Sequence, residues 1–224
     1  MVLLIGHRGA AGHCPENTLI SFRRALDLGC DMVELDVRLC RSGELVVIHD
    51  DTVDRTTDGE GKVADLDLTE IKDLDAGKGQ KVPTLEEVLD LVKGGCSTNI
   101  ELKGPDTAGP AGRILAERGI GPEDVLISSF MPTELYDIHS SFPGFRVGYL
   151  IDADPSGAED FVKELGGYSV HPRFDLISDH HIGACHDLGL KVFVWTVNKK
   201  EDMRRMVRLG VDGIITDHPE RVPA

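Results

Sequence analysis

The sequence is short of basic residues. Its 224 residues contain 24 lysines and arginines against 39 aspartates and glutamates, which gives a formal net charge of −15 at pH 7. Proteins that bind nucleic acids attract phosphates with a basic surface, so this balance argues against a nucleic-acid partner. Any anionic substrate must instead meet positive charge that is concentrated locally.

The sequence also lacks paired cysteines and long apolar runs. The five cysteines are odd in number and scattered, with no CxxC pair that would suggest zinc or redox exchange: Cys14, Cys30, Cys40, Cys96 and Cys185. No apolar stretch has the length of a membrane span, and the N-terminal run MVLLIG is too short for a signal-peptide core. We therefore expect free thiols, a cytoplasmic location and no stable membrane insertion, and we leave homo-oligomer formation open.

What the sequence does have is a regular alternation of short β-branched runs with amphipathic segments. The apolar fraction, 41%, is ordinary for a folded domain. The pattern predicts eight strands, at 2–5, 32–38, 98–102, 125–128, 146–150, 168–171, 191–195 and 213–216. It predicts helices between them, at 18–28, 84–93, 108–118, 132–140, 156–165, 178–188 and 199–209.

Eight strands joined by crossover helices imply parallel pairing. We predict the α/β class and a single-domain (β/α)8 TIM barrel over residues 1–224, because the polar candidates follow several different strands. An open doubly wound sheet is the alternative. It is disfavoured because HRGAAGH after the first strand lacks the GxGxxG spacing.

One stretch breaks this rhythm. Ten acidic residues fall between Asp50 and Asp75 against three basic ones. We expect residues 50–83 to be a solvated insertion over one rim of the barrel, with LTEIKDL as one short helix. A lid or a specificity element is the alternative interpretation.

Carboxylates alternate along two of the predicted strands. Glu34 and Asp36 in VELDVRL share one face of a strand, and Asn99, Glu101 and Lys103 in NIELKG repeat the spacing. Three carboxylates at the same barrel mouth suit a hard divalent ion, Mg²⁺ or Ca²⁺. A salt-bridge network with Arg8, Arg38 or Lys103 is the alternative.

Two histidines also fall at predicted strand ends. His7 follows the first strand and His49 ends the apolar run LVVIH. One neutral and one protonated imidazole can take a proton from a nucleophile and give one to a leaving alkoxide, as phosphodiester cleavage requires. Arg8 adds a planar fork that suits a phosphate.

Together these motifs resemble the glycerophosphodiester phosphodiesterase family, in order and over nearly the whole chain. The segments that carry the resemblance are HRGAAGHCPENT, VELDVRL, VVIHDDTVDRTT, PTLEEVLD, IELKG, VWTVN and GVDGIITDHP. The resemblance implies a (β/α)8 barrel with its active site at the C-terminal face. It also implies a divalent ion, often Ca²⁺ or Mg²⁺, and the following roles: general acid and base for His7 and His49, metal ligands for Glu34, Asp36 and Glu101, and phosphate-side cations for Arg8 and Lys103.

Other residues carry weaker expectations. Trp195 ends the seventh predicted strand and either packs the barrel mouth or forms a substrate-binding wall of the cleft. Asn17 is expected to cap the first helix, since asparagine is a favoured N-cap. Phe130, His171 and Phe174 are left out of the site. The remaining histidines are expected to be solvated: His13, His139, His180, His181, His186 and His218.

The predicted function is metal-dependent hydrolysis of a small-molecule glycerophosphodiester to glycerol 3-phosphate and an alcohol. One alternative is a lysophospholipase D or sphingomyelinase D type activity, which would need an apolar channel for an acyl chain. Another, of a different class, is a non-catalytic protein that binds phosphate esters. The alternative without catalysis predicts the loss of at least one catalytic position, and the sequence retains them all.

Overall fold

The computed structural model describes residues 2–223 and has a closed barrel at its centre. Eight parallel strands form the ring: β1 (Leu3–Gly6), β2 (Met32–Leu39), β4 (Ser97–Leu102), β5 (Val125–Ser129), β6 (Arg146–Ile151), β7 (Ser169–Pro172), β8 (Lys191–Val194) and β9 (Gly213–Thr216). β1 pairs with both β9 and β2, and this closes the ring. The predicted TIM barrel is confirmed, and the open doubly wound sheet is wrong.

Helices cover the outside of the ring. The first is α1 (Leu19–Asp27), and α2 (Leu68–Asp73) lies apart from it in the segment after β3 (Leu45–Val47). The other outer helices are α3 (Leu85–Val92), α4 (Ala108–Glu117), α5 (Pro132–Ser141), α6 (Ala158–Leu165), α7 (Asp179–Asp187) and α8 (Lys200–Leu209). Short 3₁₀ turns lie at Val63–Asp65 and Pro219–Arg221. None of the helices within 2–223 is long and apolar enough to cross a membrane.

The alternation along β2 decides which side chains face the interior. Val33, Leu35 and Val37 pack in the apolar layer between the barrel and the helices. Met32 instead belongs to the cluster inside the ring with Ile5 and other residues. Successive strand residues point to opposite faces, so Glu34 and Asp36 share the interior side with Met32. The strand therefore carries two carboxylates into the barrel.

A ninth strand, which the sequence pattern did not reveal, lies outside the parallel ring. β3 (Leu45–Val47) pairs antiparallel with the end of β2, with Val37 opposite Val47 and Leu39 opposite Leu45. The two strands are joined by a tight connection in which Gly43 has φ +99°, a conformation that favours glycine. His49 thus follows an antiparallel strand rather than a strand of the ring.

The segment after β3 has an apolar centre of its own. Val53, Val63, Ile71 and Val82 are buried there against Ile48 and a few neighbours. α2 begins at a capping box formed by Asp67 and Glu70. Residues 50–83, the rim segment, are therefore a packed unit, although most of the acidic side chains there are exposed or half-buried.

Candidate active site

The centre of the site is a cluster of three buried carboxylates. The parallel register places Asp36 beside Glu101 and Glu34 beside Asn99. The three acids retain only 3% (Glu34), 1% (Asp36) and 7% (Glu101) of their exposure. Carboxylate oxygens of all three residues lie within 4.8 Å of one another. Two strands thus deliver the predicted acids to a single point.

The electrostatics of this cluster favour an added cation. Burial, followed by the charge of Asp36, raises the pKa of Glu34 well above its usual range and that of Glu101 to about 7. Burial also favours a higher pKa for Asp36. The positive charges of Arg8, His49 and Lys103 have the larger combined effect, so the pKa of Asp36 is lowered. Two carboxyl groups that resist ionisation beside a third that is ionised indicate a shortage of positive charge.

The donor set fits a hard divalent ion. Arg8 Nε lies 3.3 Å from Asp36 Oδ2, and Lys103 Nζ lies 2.8 Å from Glu101 Oε1. When all three carboxylates are ionised, these two cations leave one negative charge in excess. Asp36 Oδ1 is buried and has no hydrogen-bond partner in the described part of the chain. An all-oxygen cluster with an unpartnered buried oxygen can hold Mg²⁺ or Ca²⁺, so the predicted salt bridges and a metal site are compatible.

Arg8 is held in a turn that also supports the carboxylates. Its backbone has φ +50°, and its N–H donates to Glu34 Oε2 at 2.9 Å. Gly9 follows at φ +86°, where an added Cβ would lie 2.5 Å from Ser21 Oγ. A non-glycine residue in the left-handed region costs free energy, and such residues concentrate at functional sites.

Asn17 takes a different role from the one predicted. Thr18 stands at the N-cap of α1, and its side chain makes no capping hydrogen bond. Asn17 is instead buried at φ +55°, and its Nδ2 donates to Asp36 Oδ2 at 2.8 Å. The capping prediction was wrong because the tertiary contact with a buried carboxylate outweighs the local preference.

His7 is oriented from the far end of the chain. Its Nδ1–H donates to Asp217 Oδ1 at 2.6 Å. Asn198 Nδ2 donates to the other oxygen, Asp217 Oδ2, also at 2.6 Å. Burial raises the pKa of Asp217, but the contacts with His7 and Asn198 outweigh it, so the pKa is lowered and the group is an anion. This arrangement leaves Nε2 of His7 for a substrate.

His49 is also hydrogen-bonded to an aspartate, and that aspartate is held by an arginine. Its Nδ1–H donates to Asp50 Oδ1 at 2.6 Å. Arg55 forks onto both oxygens of Asp50 and also onto Glu16, which in turn accepts from Arg8 at 2.7 Å. Burial is the first cause of a lowered pKa at His49. The network links the two histidine-bearing segments through the rim segment.

These groups line a cleft of about 350 Å³ at the C-terminal ends of the strands. One side is charged and contains His7, Arg8, Glu34, His49, Glu101 and Lys103. The other is largely apolar and contains Phe130, Leu150, Trp195 and Ile215, with Asp152 as its charged member. The Trp195 and Phe130 rings meet edge to face at 5.5 Å, and Trp195 Nε1 donates to His171 O at 2.8 Å. Trp195 therefore both packs the mouth and lines the cleft.

All eight residues predicted for the site, His7, Arg8, Glu34, Asp36, His49, Glu101, Lys103 and Trp195, lie in or directly beneath this cleft. The sequence analysis did not include Glu16, Asp50, Arg55, Asn198 or Asp217 among the site residues. The available signal was position: Asp50 follows His49 directly, and Asp217 follows the last strand of the ring. Phe130, left out earlier, lines the cleft, whereas His171 is fully buried in the barrel interior.

Comparison with known proteins agrees with this geometry. The sequence model of the glycerophosphoryl diester phosphodiesterase family matches residues 7–221. The chain belongs to this family. A glycerophosphodiester phosphodiesterase from Caldanaerobacter subterraneus subsp. tengcongensis is 43% identical over 97% of this chain and 95% of its own length. One from Bacillus subtilis is 33% identical over 98% of this chain and 84% of its own. The predicted enzyme class is confirmed.

Solved structures of the same family have the same fold. A phosphodiesterase from Oleispira antarctica, in complex with the product sn-glycerol-3-phosphate, superposes with a TM-score of 0.92 at 30% identity and covers 97% of this chain and 94% of its own. A protein described as a putative glycerophosphoryl diester phosphodiesterase, from Silicibacter pomeroyi, gives 0.93 at 29% identity and covers 99% and 92%. The family match therefore extends to the whole barrel.

Proposed function

We propose that the enzyme hydrolyses glycerophosphodiesters to glycerol 3-phosphate and an alcohol, with a divalent ion held by Glu34, Asp36 and Glu101. The observation that carries this proposal is the convergence on one cleft of three buried carboxylates and two imidazoles, each imidazole bonded to its own aspartate. The product bound to the Oleispira antarctica relative supports the glycerophosphate side of the reaction.

The phosphate would lie on the charged side of the cleft. A bound Mg²⁺ or Ca²⁺ would supply Lewis-acid stabilisation of charge on the phosphoryl oxygens. Arg8 and Lys103 line the same wall and add fixed positive charge there. Positive groups held in place before the reaction stabilise charge that develops in the transition state, which is usually the largest catalytic contribution.

The two histidines would divide the proton transfers. Each donates Nδ1–H to an aspartate, so each presents Nε2 to the substrate. Burial lowers the pKa of His49, which favours its neutral ring, so we assign the role of general base to His49. His7 is then the acid that protonates the departing alkoxide. The nucleophile can be water or a neighbouring hydroxyl of the substrate.

A change of leaving group tests this division. An alkoxide must be protonated as it leaves, whereas p-nitrophenolate leaves unaided. We expect His7→Ala to keep a much larger fraction of the wild-type kcat on a p-nitrophenyl phosphodiester than on glycerophosphocholine. His49→Ala should be impaired on both. Equal proportional losses for both variants on both substrates would instead indicate that the histidines only position the phosphate.

The substrate class can be tested side by side. The mixed cleft has an apolar wall, but its volume of about 350 Å³ is at the small end of ligand pockets. We expect turnover of soluble glycerophosphocholine with release of glycerol 3-phosphate, and far less turnover of detergent-dispersed lysophosphatidylcholine. Running both substrates with Ca²⁺, Mg²⁺ and Mn²⁺ would identify the effective ion. Preferential turnover of the lysolipid would favour the lysophospholipase D alternative.

We also propose that residues 1–224 act as one catalytic domain and that residues 50–83 belong to its working parts. Asp50 contacts His49, and Arg55 links Asp50 to Glu16 beside Arg8. These contacts support a role for residues 50–83 in holding His49, whereas the charge pattern led us to expect a solvated insertion.

A further inference from the structure

A second group of metal-ligating side chains lies at the barrel mouth, apart from the three buried carboxylates. His13 belongs to the turn after β1, and His218 and Glu220 belong to the segment after β9. Ligating atoms of the three residues lie within 4.8 Å of one another. His13 Nε2 is 2.8 Å from Glu220 Oε2, and His218 Nδ1 is 3.6 Å from Glu220 Oε1.

The backbone holds these three residues in place. Gly12 N donates to Asp217 O at 2.9 Å, which joins the turn after β1 to the segment after β9. His218 lies so close to Gly12 that an added Cβ there would be 2.5 Å from its Nδ1. His218 N donates to Thr216 Oγ1, and Arg221 N donates to His218 O. These contacts, together with the ion pair between His13 and Glu220, arrange the three side chains before an ion binds.

One of the ligating atoms lacks a partner. His218 Nδ1 is buried and makes no hydrogen bond to any residue within 2–223. A buried polar atom without a partner is costly. The side chains of His13 and Glu220 keep about a third of their exposure, 31% and 35%, so an ion from solvent can reach the group. Arg221 Nε also lies 3.4 Å from Glu220 Oε1. A metal ion bound to Glu220 would therefore share this carboxylate with Arg221 or displace the arginine.

We propose that His13, His218 and Glu220 form a second metal site, which takes a transition-metal ion of the zinc type and joins the turn after β1 to the segment after β9. Two imidazoles and one carboxylate are a ligand set that zinc accepts, with a fourth position left for water. The site differs in chemistry from the all-oxygen cluster of Glu34, Asp36 and Glu101, because imidazole nitrogen favours Zn²⁺ over Mg²⁺ or Ca²⁺.

The position of this site gives it a consequence for the enzyme. Asp217, which orients His7, immediately precedes His218 and shares its backbone segment. An ion bound by His13, His218 and Glu220 would fasten that segment to the turn that follows His7. Binding of the ion would therefore stiffen both segments that hold His7, the turn after β1 and the segment that carries Asp217. The ion itself would not contact the substrate.

The test removes the first site so that only the second is measured. The parent protein is the full-length Glu34→Gln, Glu101→Gln variant, stripped of metal and titrated with Zn²⁺ by isothermal calorimetry and equilibrium dialysis. We expect one Zn²⁺ per chain. His13→Gln or His218→Gln added to this parent should weaken binding by about 100-fold or more, because loss of even an outer-shell partner costs 10- to 100-fold. His180→Gln, at an exposed position on α7, is the matched control and should not change binding.

A thermal melt provides a second readout that does not depend on activity. Zn²⁺ should raise the Tm of the parent and of the His180→Gln control, since an ion that binds only the folded state stabilises it by mass action. The shift should vanish in His13→Gln, whose ring lies on an exposed turn, so that variant serves even if His218→Gln does not fold. Absence of Zn²⁺ binding in the parent, or undiminished binding in His13→Gln, would overturn the proposal and leave a simple His13–Glu220 ion pair.

Discussion

The two sides of the cleft differ in chemistry although they belong to one barrel. The side built from β1, β2, β4 and the rim segment carries nearly all of the charge, including both histidines and the three carboxylates. The side built from β5, β6 and β8 is a wall of Phe130, Leu150 and Trp195, with Asp152 as its charged member. We infer that the charged side acts on the phosphate and that the apolar side contacts the departing alcohol.

This difference separates two kinds of kinetic effect. Substitutions on the charged side should lower kcat, because they remove groups that stabilise or protonate the transition state. Substitutions on the apolar side should raise KM, because they remove contacts that substrate and transition state share.

The largest effect is expected at the acidic cluster. Glu34→Gln keeps the shape of the side chain but removes a charge, so it should weaken metal binding and lower kcat/KM by roughly 10⁴-fold or more, the equivalent of several kcal/mol. Asp152→Asn, a carboxylate of the same cleft on the opposite side, is the matched control and should change kcat/KM much less. Full activity of the wild type in excess EDTA after dialysis would contradict metal dependence.

The histidines are expected to come next. His7→Ala or His49→Ala should each lower kcat by roughly 10² to 10⁴ with the fold intact, as judged by circular dichroism. The two losses should not add, because proton transfer fails when either member is missing, so the double variant should resemble the worse single one. His180→Ala serves as the control. Near wild-type kcat in His49→Ala on an alkyl diester would remove His49 from the mechanism.

The aspartate behind His49 should have a smaller effect with a characteristic pH signature. Asp50→Asn should lower kcat by about 10- to 100-fold, since the ring loses the partner that orients it. The hydrogen bond to Asp50 raises the pKa of His49, so its loss should move the acid limb of the kcat profile to lower pH. If the acid limb of the kcat profile stays at the same pH in Asp50→Asn, then Asp50 acts only through the stability of the rim segment.

The apolar wall should show the smallest effect on activity. Phe130→Leu and Trp195→Phe each remove part of an aromatic contact, so KM should rise about 3- to 10-fold while kcat stays within about twofold. Tyr136→Leu, an exposed aromatic residue on α5, is the control. A drop in kcat that matched the histidine variants would break the division between the two sides.

A buried histidine on the apolar side should affect stability rather than catalysis. Burial lowers the pKa of His171 to about 3, below its ordinary value of 6.5. The unfolded chain therefore binds more protons than the folded one between these values, and the free energy of unfolding should fall as pH drops through 6.5. Urea titrations should give His171→Gln a slope shallower than wild type by about 1.4 kcal/mol per pH unit. Equal slopes would contradict a buried neutral ring.

Much of the barrel could be predicted because its signals are local. Short β-branched runs identified every strand of the ring, and the helix predicted over 84–93 begins in the structure at a capping box formed by Thr84 and Glu87. β3 was missed because it has only three residues, all within the apolar run LVVIH. So short a strand shows no alternation that would identify it. Asn17 was misassigned because helix propensity says nothing of a carboxylate that lies 19 positions further along the chain.

The sequence by itself determined which residues would lie together at the cleft. Ordered motifs and strand-end positions identified His7, Arg8, Glu34, Asp36, His49, Glu101, Lys103 and Trp195, since alternation fixes the face on which each strand residue points. The identity of each supporting partner was decided only by the tertiary structure. Barrel closure brings Asp217 to His7 across 210 positions, and the packed rim segment brings Arg55 to Glu16 across 39. Contacts of that separation depend on how distant strands and loops close in space, which no local pattern encodes.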